Sequence, residues 1–219
     1  MASQKIKEIN QAFDQLARVN DINVAYNEIM QRHTTTEQTT PTSRSLDLLR
    51  SFQAQEQHRS AALTVTDQAI DKASRTVKLT FASEYPVFRR DLNAYEVLQM
   101  SPSASNLNRL NSGGPLLWNH NRDDQIGGIV KSWIGADKRA HAAVKFSRSP
   151  RGEEFFQDVI DGILRNVSFN YRILTGKAVA GGKGKPDTFT ATSWEALEIS
   201  LVSVPADPTV GVGRSGAKR

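Results

Sequence analysis

The chain has 219 residues, 38% of them hydrophobic and 23% charged, with a mean hydropathy of −0.46 and no cysteine. That composition supports a folded body with polar appendages, and it excludes disulfides, thiolate metal sites and a cysteine nucleophile. A net charge of +5 invites a nucleic-acid reading, but residues 1–60 carry seven basic and seven acidic side chains and residues 61–219 carry 21 against 16, without a dense cluster. The expectation is therefore no nucleic-acid partner, and, with no apolar signal core and no apolar run of about 18 residues, no membrane span either.

In chain order, Ile6, Ile9, Phe13, Leu16, Val19, Ile22, Tyr26 and Ile29 recur at gaps of three and four. This spacing predicts an amphipathic helix over 1–32 whose apolar stripe needs a partner, either the chain's own body or another protein. Residues 33–45 (HTTTEQTTPTSRS) are polar and aperiodic, as a flexible linker would be. A short helix over 46–60 follows, with Ser45 as its cap and Leu46, Leu49 and Phe52 as its apolar positions. From residue 61 the pattern turns to short β-like runs: Ala61–Thr66, Thr76–Ala82, Pro115–His120, Gly128–Ile134, His141–Phe146, Val167–Leu174 and Leu197–Val204. Ser101–Ser112 reads as a loop with one helical turn, and Gly176–Pro186 as a polar loop. Ser149-Pro150 opens the clearest helix, a capping serine followed by proline at the first helical position, with Phe155, Phe156, Val159, Ile160, Ile163 and Leu164 on its buried face. The expected class is α+β, mostly β: a small closed sheet or barrel over 61–212 with helices packed outside, then a flexible tail over 213–219.

Four histidines make the list of chemical groups short. His33 falls in the linker, His58 at a polar helix end and His141 at a strand start after a turn, all expected to be solvated. His120 ends the apolar run Leu116-Leu117-Trp118-Asn119, the half-buried kind of position where a general base can be poised, although a structural histidine is the simpler reading. Ser168 lies between Val167 and Phe169, so on a strand it points away from its apolar neighbours. Glu198 sits inside Leu197-Glu198-Ile199-Ser200-Leu201-Val202, where a carboxylate is costly without a partner such as an imidazole N–H or an arginine. Alternation puts Glu198 and Ser200 on one face of that strand. His120, Asp123, Asp124 and His141 lack metal-site spacing, and Gly181–Lys185 lacks the spacing of a phosphate-binding loop, so neither a metal nor a cofactor is expected.

Together these stretches resemble the prohead (capsid maturation) serine proteases of tailed bacteriophages, distant relatives of the herpesvirus assemblin proteases. The resemblance is carried by Leu116–Asn121 with Ile126-Gly127-Gly128, the helix Ser149–Leu164, Val167–Arg172 and Trp194–Asp207, and it covers roughly residues 60–213. It implies a serine endopeptidase with a barrel of the herpesvirus-protease type. His120 would be the general base, Ser168 the nucleophile and Glu198 the residue that orients the imidazole. Arg165 and Arg172 are candidates to assist backbone N–H groups at the oxyanion. Asn170 stands where the family has glycine, two residues after the serine. The resemblance further implies a major capsid protein or scaffold as partner and substrate, self-cleavage, a homodimer or higher oligomer, and a location inside the assembling prohead in the host cytoplasm. The N-terminal helix would then bind scaffold or capsid protein. Two other readings stay open: a non-catalytic scaffolding or assembly factor that retains the fold, and a serine esterase or amidase, disfavoured by the lack of a G-x-S-x-G elbow.

Overall fold

A computed structural model describes residues 43–53, 56–62 and 69–204. The expected N-terminal helix, most of the linker and the C-terminal tail lie outside the described residues. The described residues belong to one compact unit.

The first element is helix α1 (Ser43–Gln53), followed by strand β1 (Gln57–Ala62). The helix expected over 46–60 thus begins earlier, at Ser43, with the expected cap Ser45 and the end of the expected linker inside it, and it ends earlier, because residues from Gln57 pair antiparallel with a later strand; tertiary pairing overrides a weak local preference. There follow β2 (Ile70–Asp71), β3 (Thr76–Ser83), β4 (Val87–Arg89), β5 (Ala94–Leu98), β6 (Ser105–Asn106) and the single helical turn α2 (Asn108–Asn111). The remainder is β7 (Pro115–Trp118), β8 (Asn121–Ile134), β9 (Arg139–Phe146), helix α3 (Pro150–Ile160), β10 (Asn166–Val179) and β11 (Asp187–Leu201).

Eleven strands form one sheet, whose main path runs β1-β10-β11-β7-β8-β9-β3-β2, with β4, β5 and β6 joined to it through β11. The mostly-β class holds. The closed barrel expected from the sequence is not what the ladder shows: the pairing path is open, ending at β1 on one side and β2 on the other among the described residues. The last hairpin is also longer than its sequence suggested. Pairing continues through Gly176↔Ala191 to Val179↔Thr188, and Gly176 admits this because a Cβ there would collide with the Phe189 ring.

Alternation explains most strands. β3 and β9 bury every second residue over most of their length, as a sheet with one face on the core should. β10 and β11 break that rule where they pair, since Val167–Tyr171 and Ala196–Val202 are all buried. Their core-facing side chains are Phe169, Tyr171, Ile199 and Leu201, each at most 1% exposed. Phe169 packs against Phe81, Tyr171 and Trp194 with centroids 5.2, 4.9 and 5.9 Å away, and Phe52 of α1 stacks on Phe189 at 4.4 Å. The opposite parity in the same strands is polar and also buried: Ser168, Asn170, Glu198 and Ser200.

Helix α3 has the expected cap but ends at Ile160, short of the expected Leu164, and Ile163 beyond it is 68% exposed. Ser149 accepts a hydrogen bond from the Gly152 N–H and Pro150 takes the first helical position. Its Phe155 ring packs on Trp118 at 4.8 Å, which supports the end of β7.

Candidate active site

Three features of the chain bring His120, Ser168 and Glu198 together. The first is the pairing of β10 with β11, which sets Ser168 opposite Ser200 and Asn170 opposite Glu198 on one face. Leu197 is an extra residue in this ladder, since Asn170 pairs with Glu198 but Tyr171 with Ala196. That bulge aims Glu198 into the Ser168 face and still leaves Arg172 opposite Glu195 beyond it.

The second feature is the parallel pairing of β7 with β11, in the register Leu116↔Ile199, Leu117↔Ser200 and Trp118↔Leu201. It carries the end of β7 over the C-terminal end of β11. The third is the tight turn that follows. Trp118 pairs with Asn121, and the two residues between them, Asn119 and His120, have φ of +47° and +60°. Positive φ at both central residues is what a type I′ hairpin turn requires, and asparagine and histidine are among the residues that tolerate it. The turn is pinned to β11: the Asn119 N–H donates to the Leu201 carbonyl at 2.9 Å and the His120 N–H to Ser200 Oγ at 3.1 Å.

The resulting geometry is a relay of three side chains. His120 Nδ1 lies 2.5 Å from Glu198 Oε1, and His120 Nε2 lies 2.8 Å from Ser168 Oγ. An ionised carboxylate only accepts hydrogen bonds, so Nδ1 carries the proton and the neutral ring presents a bare Nε2 to the serine hydroxyl. Ser168 is 2% exposed and Glu198 7%, whereas the imidazole keeps 21% of its surface in contact with solvent. The imidazole is thus reachable while its two partners are shielded. Ser168 Oγ has a second acceptor, the Arg59 carbonyl of β1, at 2.9 Å.

Arg59 is held by a buried charged cluster. Its Nη2 donates to the Glu96 carbonyl at 2.5 Å and lies 3.3 Å from Glu96 Oε1. Glu96, fully buried, also accepts from Arg89 Nε at 2.6 Å and from the Tyr171 hydroxyl at 2.5 Å. Burial first, and then the Glu96 charge, push the Tyr171 phenol well above its ordinary pKa, so it stays a donor. The sequence offered no signal for the Arg59 contact, because a backbone carbonyl leaves no trace in residue type.

Arg165 and Arg172, the oxyanion candidates, are both exposed. Arg165 donates to the Gly162 carbonyl and Arg172 to Glu195 Oε2 at 3.0 Å, and no contact between either and Ser168 occurs among the described residues. Asn170 is 7% exposed, and its Oδ1 is buried without a hydrogen-bond partner. Its φ is not positive, since it is absent from the left-handed residues of the chain; ordinary strand backbone does not demand glycine there. Asn170 and Glu198 border a cleft of about 200 Å³ together with Arg109, Leu117, Arg122 and Gln125. A larger groove of about 570 Å³ over Gly127–Val130 includes none of the three relay residues, so the smaller cleft is the one next to the chemistry.

The other histidines stand apart. His141 is bonded to Thr80 Oγ1 and Asp137, each at 3.0 Å, and stacks on Trp133. His58 contributes its backbone to β1, and His33 lies outside the described residues. Among the described residues no cluster of three or more acidic, histidine or cysteine side chains has the geometry of a metal site, and no helix is long and apolar enough to cross a membrane.

The sequence is also similar to known proteins. The family model described as Caudovirus prohead serine protease matches residues 69–217. Over 140 residues, 63% of this chain, the sequence is 43% identical to a protein of Halomonas phage phiHAP-1 named major capsid protein. That match covers 23% of the phage protein, so the chain spans about a quarter of its relative's length. No solved structure matches the chain.

Proposed function

We propose, since the chain belongs to the caudovirus prohead serine protease family, that it is the endopeptidase that trims capsid or scaffold protein during capsid maturation, with Ser168 as nucleophile, His120 as general base and Glu198 as the orienting acid. The observation that carries this reading is the unbroken line Glu198 Oε1–His120–Ser168 Oγ, with links of 2.5 and 2.8 Å.

The chemistry follows from that line. A serine hydroxyl is a poor nucleophile near neutral pH until a base takes its proton as the bond to carbon forms. His120 Nε2 receives that proton while Ser168 Oγ attacks the scissile carbonyl, and Glu198 stabilises the imidazolium this creates. The imidazolium then protonates the departing amine and an acyl-enzyme remains. Water, deprotonated by the same Nε2, releases it. Ser168 has two acceptors at rest, and only the rotamer whose proton points to Nε2 is productive. The order His, Ser, acid along the chain is immaterial, since such sets are recognised by geometry.

A substrate within the capsid shell fits the kinship with a protein named major capsid protein. The chain would act inside the assembling prohead, on the capsid protein or scaffold and on itself. A fluorophosphonate, which reacts only with an activated serine, tests the roles. Wild-type chain should gain one adduct, mapped by peptide mass to Ser168, and His120→Ala should lose it. An adduct elsewhere, or one undiminished in His120→Ala, would refute the assignment and favour the non-catalytic assembly reading.

A further inference from the structure

Strand β11 runs through the interior as Leu197-Glu198-Ile199-Ser200-Leu201, and Ser200 within it is completely buried. A hydroxyl in such a place is a liability unless its hydrogen-bonding capacity is used. Here both halves are used, and both on the same relay. Ser200 Oγ donates to Glu198 Oε2 at 2.7 Å and accepts from the His120 N–H at 3.1 Å.

We propose that Ser200 is a positioning residue that ties the general base to its carboxylate; this rests on the His120–Ser168–Glu198 reading and extends it by a fourth member. The two contacts do different things. Glu198 commits Oε1 to the imidazole, and Oε2 is left in a buried site where it needs a donor. The terminal torsion of a glutamate has a broad, nearly two-fold profile, so by itself it does not fix which direction the carboxylate plane faces. The Ser200 hydroxyl fixes it, with Oε1 on Nδ1 and Oε2 on Ser200. The second contact acts on the backbone. His120 is the second left-handed residue of a two-residue turn, and its N–H is held by Ser200 in place of a strand partner. One oxygen atom thus fixes the imidazole from its carboxylate side and from its main-chain side.

Residue type is restricted accordingly. Ser200 is sandwiched in the ladder between Ser168 on one neighbouring strand and Leu117 on the other. Alanine would take the hydroxyl donor from the buried Glu198 Oε2 and the Ser200 acceptor from the His120 N–H. Cysteine keeps the volume but supplies a weak donor and a weak acceptor.

The test uses the full chain and a fluorophosphonate as the probe. Ser200→Ala should react at Ser168 about 10²-fold more slowly than wild type, the scale expected when a catalytic group is displaced by about an ångström. Its folded state is read from the amide NMR fingerprint, and should alanine leave the chain unfolded, Ser200→Cys replaces it, with slowing again expected. A merely structural role is separated by two readouts. The Nδ1 proton of His120, in a short bond to a carboxylate, should give a far-downfield proton resonance in wild type that is lost in the folded Ser200 variant. In a Glu198→Gln background, Ser200→Ala should slow labelling far less than it does alone, because the group it holds is already altered. Wild-type labelling with the resonance retained in a folded Ser200 variant would overturn the proposal. So would the same fold-slowing in both backgrounds. Failure of the underlying triad looks different: labelling would then survive Ser168→Ala, whatever Ser200 does.

Discussion

Glu96 is the residue whose replacement tests most sharply how Ser168 is held. It is fully buried and receives Arg89 Nε at 2.6 Å and the Tyr171 hydroxyl at 2.5 Å, with Arg59 Nη2 3.3 Å from the same carboxylate. Glu96→Gln preserves volume but takes the carboxylate charge away from two guanidinium groups, of which Arg59 is 6% exposed. Breaking a buried ion pair from one side costs about 3–5 kcal/mol. For a domain of about 150–250 residues each kcal/mol lowers Tm by about 2–4 °C, so a fall of roughly 6–20 °C is expected. Tyr171→Phe removes the O–H that donates to the same carboxylate and accepts from Arg89 Nη2 at 2.6 Å, and should cost about 1–3 kcal/mol. Urea unfolding and thermal melts, both in a Ser168→Ala background so that self-digestion plays no part, measure these differences. In the otherwise unaltered chain Glu96→Gln should also slow labelling of Ser168, because Arg59 carries the carbonyl that bonds to it. A Glu96→Gln variant within about 1 kcal/mol of its parent would refute the cluster's role, since removing the carboxylate of a buried ion pair costs more than that.

Further outcomes follow from other parts of the site. Asn119 sits at φ +47°, so Asn119→Val should be less stable than Asn119→Gly by about 1–2 kcal/mol in urea unfolding, the cost of a left-handed conformation for a side chain that resists it; equal stabilities would contradict the turn. Glu198→Gln should lower the labelling rate of Ser168 by about 10²–10⁴-fold with folding retained, because the imidazole loses its charged partner; a smaller effect than that of Ser200→Ala would reverse the ranking of the two residues. The hydrogen bond from Arg151 holds the Asp124 carboxyl below its ordinary range. A lowered folded pKa stabilises the fold above the unfolded value of about 3.9 and ceases to do so as pH falls through the folded value. Asp124→Asn should therefore be less stable than wild type at neutral pH, with the gap closing below about pH 4; a pH-independent gap in urea melts would remove Asp124 as its cause.

How far the sequence discloses this architecture depends on where the information resides. Ser149-Pro150 and the apolar positions after it specify α3 locally; the cap and the burial of Phe155, Phe156 and Val159 are as read, whereas Ile163 lies past the helix end and is exposed. The β8–β9 hairpin likewise follows from alternation around a Gly-Ala-Asp turn. β1 does not, because Gln57–Ala62 has little strand character and forms through its pairing with β10. The bulge at Leu197 is invisible for the same reason: it is a property of two strands together. At the site, a serine and a glutamate in apolar strands are conspicuous in the sequence because burying them demands a partner. His120 stands out as the end of an apolar run. The closeness of these three, across 48 and 78 residues of chain, comes from the parallel β7–β11 pairing, which no local pattern encodes. Arg59 and the Glu96 cluster are not legible there either, since a backbone acceptor and a long-range ion pair have no short-range signature.

The central claim is that Ser168 makes this chain a capsid-maturing protease. Its most direct test is to co-express the chain, wild type and Ser168→Ala, with the capsid protein of the same phage, and to measure the intact masses of both partners. The account predicts discrete trimming of the capsid protein with wild type and none with Ser168→Ala. Identical trimming by both, or intact capsid protein with both while shells still require the chain, would contradict it.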